Sequence, residues 1–194
     1  RVIEPWQRST GKHPLTVEQH VADLQAVIES HCGDERFAVV GHSWGAMLAL
    51  AWAAAHPDTN APLVLVSCGT FDPDSRAALR RTIDERLGDA ERRRIIALPV
   101  REQFEAIRNV YDYDAVDYAP EPEAPPFDAR ANGETWRDMV RRQEGGEYPA
   151  AFAAVRAPVL MIHGSHDPHP GRATRDTLQT HLPQLEYHEL PMCG

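Results

Sequence analysis

The fold of this chain follows from one stretch of its sequence, Phe37-Ala38-Val39-Val40-Gly41-His42-Ser43-Trp44-Gly45-Ala46. Its first four residues are a short, continuous apolar run, which favours a parallel strand buried on both faces. The segment from Gly45 to His56 predicts a helix that Pro57 ends. Between them, Gly41-His42-Ser43-Trp44-Gly45 fits the pattern Gly-x-Ser-x-Gly, in which a strained turn holds a serine hydroxyl clear of the sheet. We expect the small residues on both sides of the serine to let strand and helix approach closely.

This turn also predicts a chemical role for Ser43. The helix N-terminus beneath the serine contributes a positive dipole end, and the amide of Trp44 can donate a hydrogen bond to a developing oxyanion. Both effects favour acyl transfer. A serine hydroxyl needs a base, and the base needs a carboxylate that fixes its tautomer.

The rest of the chain alternates strands and helices, which predicts an α/β fold with a mostly parallel sheet. A helix with a capping box at Thr16 and Gln19 precedes the first strand, and Gly33 ends it. Strands are predicted at 37–40, 63–67, 159–162 and 185–190, and helices at 16–32, 45–56 and 173–182. Residues 72–152 show no convincing strand, so we predict a helical cap there, inserted into a core formed by residues 1–71 and 153–194.

A carboxylate follows the strand at 159–162, in His163-Gly164-Ser165-His166-Asp167-Pro168. The carboxyl ends of parallel strands are where binding sites gather, so Asp167 is the predicted orienting acid. Asp72 and Asp74 follow the strand at 63–67 and are competitors for that role.

The later histidines are poorly placed to act as the base. His169 is too close to Asp167 in sequence, His181 is expected within a helix, and His188 within the last strand. We therefore expect the base to be a histidine that follows Gly194.

A cluster of imidazoles around Asp167 raises the alternative of a metal site, with His163, His166 and His169 as ligands. Its spacing matches no zinc motif, so we predict no metal and no cofactor.

Composition narrows the class of partner. The 194 residues include 20 Lys plus Arg and 29 Asp plus Glu, which gives a formal net charge of −9. This negative charge argues against a nucleic acid as the partner, since phosphates are bound by an excess of Lys and Arg. No apolar run is long enough for a membrane span. Cys32, Cys68 and Cys193 form no Cys-x-x-Cys pair, so a reducing, cytoplasmic setting is expected. A small molecule is the expected partner.

Three motifs together resemble the α/β-hydrolase fold and, within it, the proline iminopeptidase group of serine hydrolases. They are Gly41-His42-Ser43-Trp44-Gly45-Ala46, then Gly164-Ser165-His166-Asp167-Pro168, and Leu190-Pro191-Met192-Cys193-Gly194. The resemblance covers about residues 36–71 and 155–194. In Pro5-Trp6-Gln7-Arg8-Ser9-Thr10-Gly11, Trp6 and Ser9 replace the Asp and Gly of the family's Asp-Gln-Arg-Gly stretch, which weakens the inference of aminopeptidase specificity.

The resemblance implies a serine hydrolase that forms an acyl-enzyme on a small ester or amide, an N-terminal proline peptide included. In the family the catalytic histidine follows the stretch matched by Leu190–Gly194, and an upstream strand pair and a Gly-rich loop supply the second oxyanion donor. We expect both to lie outside these 194 residues, and a chain without the histidine to turn over negligibly. Serine at position 43 disfavours the related dehalogenases and epoxide hydrolases, which use an aspartate.

Two alternatives stay open at this point. The same fold could carry a small-molecule-binding protein without catalysis, or an acyltransferase whose acceptor is not water. The sequence does not indicate an oligomeric state.

Overall fold

The fold is given by a computed structural model that describes residues 1–8, 14–99, 102–103, 106–114 and 128–194. Ser9 and parts of the predicted cap (100–101, 104–105 and 115–127) lie outside the described residues. The elements are α1 (Val17–Cys32), β1 (Val39–His42), α2 (Trp44–Ala55), β2 (Leu63–Val66), α3 (Pro73–Ile96), α4 (Arg108–Tyr111), α5 (Ala129–Glu144), a 3-10 helix (Ala150–Ala154), β3 (Val159–Gly164), α6 (Gly171–Gln179) and β4 (Leu185–Leu190).

The four described strands form one parallel sheet in the order β1-β2-β3-β4. Its register aligns Gly41 with Leu65 and Leu65 with Met161. The predicted α/β class and parallel sheet are therefore confirmed. Because all four strands run in the same direction, their carboxyl ends meet at one edge.

The prediction that the first strand is buried on both faces is wrong for the described residues. Val40 is 68% exposed, whereas Leu63 and Leu65 of β2 are fully buried. The reason is that α2 packs against β1 and β2 from one side, while β1 lies at the edge of the described sheet.

The hydrophobic core is centred on α2, whose residues from Ala46 to Ala53 are all buried. This uniformly apolar helix suits a central position, since it has no polar face to present to water. Trp52, Phe152 and Met161 are among the largest fully buried side chains of the core.

The ends of α1 match the prediction. Thr16 is the N-cap and accepts a hydrogen bond from the Gln19 amide at 3.1 Å, and Gly33 ends the helix with a φ of 52°. A positive φ favours glycine, which explains the residue type at this position.

The described part of the predicted cap is helical, and α5 is fixed to the start of α1. Asp138 of α5 accepts the amide of Val17 at 2.9 Å and the Arg142 guanidinium at 3.0 Å. Glu134 of the same helix accepts the amide of Leu15 at 3.1 Å. The division of the chain into a core and a cap remains a prediction.

In the described part of the chain, none of the helices combines the length and the apolar character that crossing a lipid bilayer requires.

Candidate active site

Ser43 lies in the turn between β1 and α2, with φ 53° and ψ −114°. A positive φ is uncommon for any residue with a Cβ, so the surrounding structure must hold it. Two contacts do so: the Ser43 amide donates to the Val66 carbonyl at 2.9 Å, and the Ser43 carbonyl accepts the Ala46 amide at 3.1 Å. The side chain is half-buried.

The two glycines of this turn are not equivalent, which corrects the expectation that both permit close packing. A Cβ added at Gly41 would lie 2.6 Å from the Ala46 nitrogen, whereas a Cβ at Gly45 would meet no described atom within 4 Å. Close approach of strand and helix therefore requires glycine at position 41 only.

Trp44 begins α2, and its indole packs partly against the core. The indole nitrogen donates to the Gln7 side chain at 2.8 Å, and the ring of His20 meets it edge-on at a centroid distance of 6.1 Å. The first amides of a helix lack partners within the helix, so the Trp44 amide, one residue after Ser43, has no acceptor inside α2.

Asp167 follows β3 in a tight loop, and its carboxylate is almost completely buried. One oxygen, Oδ1, accepts the backbone amide and the ring Nδ1 of His169, both at 2.8 Å. The other oxygen, Oδ2, lies 3.6 Å from Nε2 of His163. Burial raises the pKa of Asp167, but the hydrogen bonds and charge of His169, together with His163, outweigh it, so that the net pKa is lowered. The carboxylate is therefore ionised at neutral pH.

Sequence reasoning rejected His169 as too close to Asp167, and it missed the direct contact between them. An aspartate that accepts the amide two residues later is a common turn, so the spacing itself was an available signal. His181 lies in the turn after α6 rather than within the helix, and His188 is in β4 as predicted.

Asp72 and Asp74, the alternative candidates for the orienting acid, lie at the start of α3. Asp72 is the N-cap of α3, accepting the Ser75 amide at 2.7 Å, and Asp74 is exposed in the first turn of that helix. Within the described part of the chain, no group of three or more His, Cys, Asp or Glu side chains is arranged to hold a metal ion.

Ser43 and the Asp167 loop lie at the same edge of the sheet. His42, Val66 and Ile162 are paired across β1, β2 and β3, and β3 continues two residues further, to Gly164. Neighbouring strands are about 4.8 Å apart, so His42 and Ile162 are separated by roughly 10 Å across the sheet.

The turn after β4 reaches the same loop. The Ser165 amide donates to the Leu190 carbonyl at 2.9 Å, and the His166 amide donates to the Cys193 carbonyl at 2.7 Å. A Cβ at Gly164 would lie 2.6 Å from the carbonyl carbon of Cys193, so glycine is needed where these segments meet.

A serine with a positive φ between a strand and a helix, and a buried carboxylate at the carboxyl edge of a parallel sheet, are both features of the predicted family, and the sequence matches the alpha/beta hydrolase family over residues 5–194. The chain belongs to this family. The predicted resemblance to it and to its proline iminopeptidase members is confirmed.

Individual relatives cover smaller regions. The lipase LipV of Mycobacterium tuberculosis is 36% identical over 84 residues, which are 43% of this chain and 31% of the lipase. A protein named "Probable proline iminopeptidase" in Streptomyces coelicolor is 34% identical over 84 residues, 43% of this chain and 26% of that protein. The crystal structure of proline iminopeptidase from Mycobacterium smegmatis superposes with a TM-score of 0.54 at 24% identity, covering 92% of this chain and 64% of that one. The matched regions thus span less than two thirds of these relatives.

Proposed function

We propose that the protein is a serine hydrolase that cleaves a small ester or amide through an acyl-enzyme on Ser43. The observation that carries this proposal is the backbone of Ser43, held at φ 53° between a strand and a helix N-terminus. Strain of this kind persists where the surrounding structure enforces it, and it gathers at functional sites. Relatives named as a lipase and a proline iminopeptidase support the class of reaction.

In the proposed mechanism, the Ser43 hydroxyl attacks the substrate carbonyl and gives its proton to a histidine base. The new bond from Oγ to carbon creates an oxyanion that the Trp44 amide stabilises. Collapse expels the alcohol or amine, which takes the proton from the histidine. Water then attacks the acyl-enzyme by the same route and releases the acid.

Asp167 would orient that base. Its lowered pKa keeps the carboxylate negative, as an acceptor for the base and a partner for the imidazolium. The base itself would be the histidine expected after Gly194. The hydrogen bond between His166 and Cys193 supports this assignment, because it brings the chain at Gly194 beside the Asp167 loop.

The proposed substrate is a small ester or amide, a class that includes N-terminal proline peptides. The resemblance to the iminopeptidase group supports that member, and the replacement of the family's Asp by Trp6 counts against it.

Ester hydrolysis by the complete protein tests the proposal. With p-nitrophenyl acetate we expect a burst of one equivalent per molecule, followed by steady turnover, and both should disappear in Ser43→Ala. Loss of the nucleophile of a serine triad costs on the order of 10⁶ in kcat.

The matched control is Ser67→Ala. Ser67 follows β2 at the same sheet edge and also has a positive φ, 48°. Its replacement should leave the burst intact. A burst that survives in Ser43→Ala would refute the assignment of the nucleophile.

A further inference from the structure

Among the described residues, the hydrogen bonds to the Asp167 carboxylate all go to one of its two oxygens. Its Oδ1 accepts two hydrogen bonds from His169, one from the amide and one from ring Nδ1, both at 2.8 Å. An ionised carboxylate can only accept, so Nδ1 must carry the proton in this contact. His169 therefore uses both of its nearby donors on a single oxygen.

His169 is fixed in turn by the imidazole of His163, in β3. Nε2 of His163 lies 3.1 Å from the His169 carbonyl oxygen, so it donates to that oxygen. His163 is 2% exposed, and a Cβ at Gly171 would lie 2.8 Å from its Nε2. The buried imidazole leaves no space for a side chain at position 171, and its hydrogen bond joins the loop to β3.

The second carboxylate oxygen keeps its capacity to accept. Within the described residues, Oδ2 is approached by His163 at 3.6 Å, which is beyond hydrogen-bond distance. A carboxylate oxygen has two lone pairs, so Oδ2 can accept the N–H of a base.

We infer that His169 is a positioning residue for Asp167: it binds Oδ1 with two donors, fixes the plane of the carboxylate and thereby presents Oδ2 to the catalytic base. This inference rests on the proposed serine hydrolase function. The charge and hydrogen bonds of His169 also lower the pKa of Asp167 against the opposing effect of burial.

Three substitutions in the complete protein test this role. His169→Leu removes the ring donor, His169→Asn places an amide donor near the position of Nδ1, and His169→Gln places it near the position of Nε2. A misplaced catalytic group costs on the order of 100-fold. For p-nitrophenyl acetate we therefore expect kcat to fall about 10-fold to 100-fold in the Leu and Gln variants, with KM within about twofold. His169→Asn should recover kcat to within about threefold of the wild type.

His166→Leu is the matched control. His166 lies in the same loop, and its ring meets Tyr113 at a centroid distance of 5.3 Å. This variant should keep kcat within about twofold. Thermal unfolding is measured for every variant, and if His169→Leu does not fold, the comparison of Asn with Gln decides.

A double-mutant cycle with Asp167→Asn separates positioning from a general structural effect. If His169 acts through Asp167, His169→Leu should cause little further loss of kcat once Asp167 is replaced. The inference is overturned if His169→Leu or His169→Gln retains the wild-type kcat, if Asn fails to rescue, or if the two losses multiply in full. A wild-type protein without ester hydrolysis would overturn the proposed function, and this inference with it, whereas an active wild type that is insensitive to His169 would overturn the inference alone.

Discussion

Ser43 occupies a conformation that costs about 1–3 kcal/mol, and its immediate neighbours hold it there. The β2 strand fixes its amide through the Val66 carbonyl, and α2 fixes its carbonyl through the Ala46 amide. Gly41 lets β1 and α2 come together, because any Cβ at this position would overlap the first turn of the helix. The shape of the turn is therefore held by the backbone hydrogen bonds of Ser43 and by the close packing at Gly41.

A pair of alanine substitutions tests this packing. Gly41→Ala should lower the free energy of unfolding by about 1–3 kcal/mol, because the added methyl group has no space. Gly45→Ala should be neutral or should raise stability by up to about 1 kcal/mol, since the site is open and alanine is the better helix former. Urea unfolding of both variants measures the difference. Equal losses at the two positions would contradict the account of the turn.

From motifs that encode backbone geometry, the sequence predicted the turn at Ser43 and the position of Asp167 in the loop after a strand. The spacing of Asp167 and His169 was a signal for the contact of the His169 amide, but the contact of the ring Nδ1 could not be predicted, since it depends on the rotamers of the loop. The different environments of Gly41 and Gly45 could not be predicted either, because a repeated residue type carries no information about which copy is crowded.

Among the helices, α1 links α5 to the first residue of α2, Trp44, through one buried histidine. His20 of α1 is 4% exposed, its Nε2 lies 3.1 Å from the Thr135 hydroxyl of α5, and its ring meets Trp44. Burial lowers the pKa of His20. The negative charge of Asp23 raises this pKa and the positive charge of Arg8 lowers it, and the net pKa is lowered.

This depressed pKa predicts how stability depends on pH. Above the unfolded pKa of about 6.5, His20 is neutral in both states and its contribution to stability is complete. As pH falls below that value, the unfolded state binds a proton that the folded state resists, so stability is lost until the folded pKa is reached.

Comparing the wild type with His20→Gln isolates this effect. The free energy of unfolding should fall less steeply between pH 7.5 and 5.5 in the variant, because the other histidines contribute equally to both proteins. Urea unfolding across this range provides the measurement. Identical slopes would show that His20 does not keep a depressed pKa in the folded protein.

All the predicted strands and helices are present, but their observed ends differ from the predicted ends by up to three residues. The first strand is Val39–His42 rather than 37–40, and the third extends to Gly164. Strand ends are set by hydrogen bonds to the neighbouring strand, such as Val39 to Pro62, and a single segment of sequence does not contain its partner's register. α1 was predicted well because its caps are local.

The described part of the molecule is built on a parallel sheet, with Ser43 and the Asp167 loop at its carboxyl edge. Alternating strands and helices predicted that architecture, and the family match over residues 5–194 agrees with it. The open face of β1 could not be predicted, because exposure depends on which elements cover the sheet and not on how apolar a strand is.

Covalent labelling of the complete protein by a fluorophosphonate, with the adduct mapped by mass spectrometry, tests directly whether Ser43 is the nucleophile. We expect one adduct per molecule, on the peptide that contains Ser43, lost in Ser43→Ala and retained in Ser67→Ala. A protein that binds ester ligands without forming any adduct, or an adduct on a different residue, would contradict this assignment.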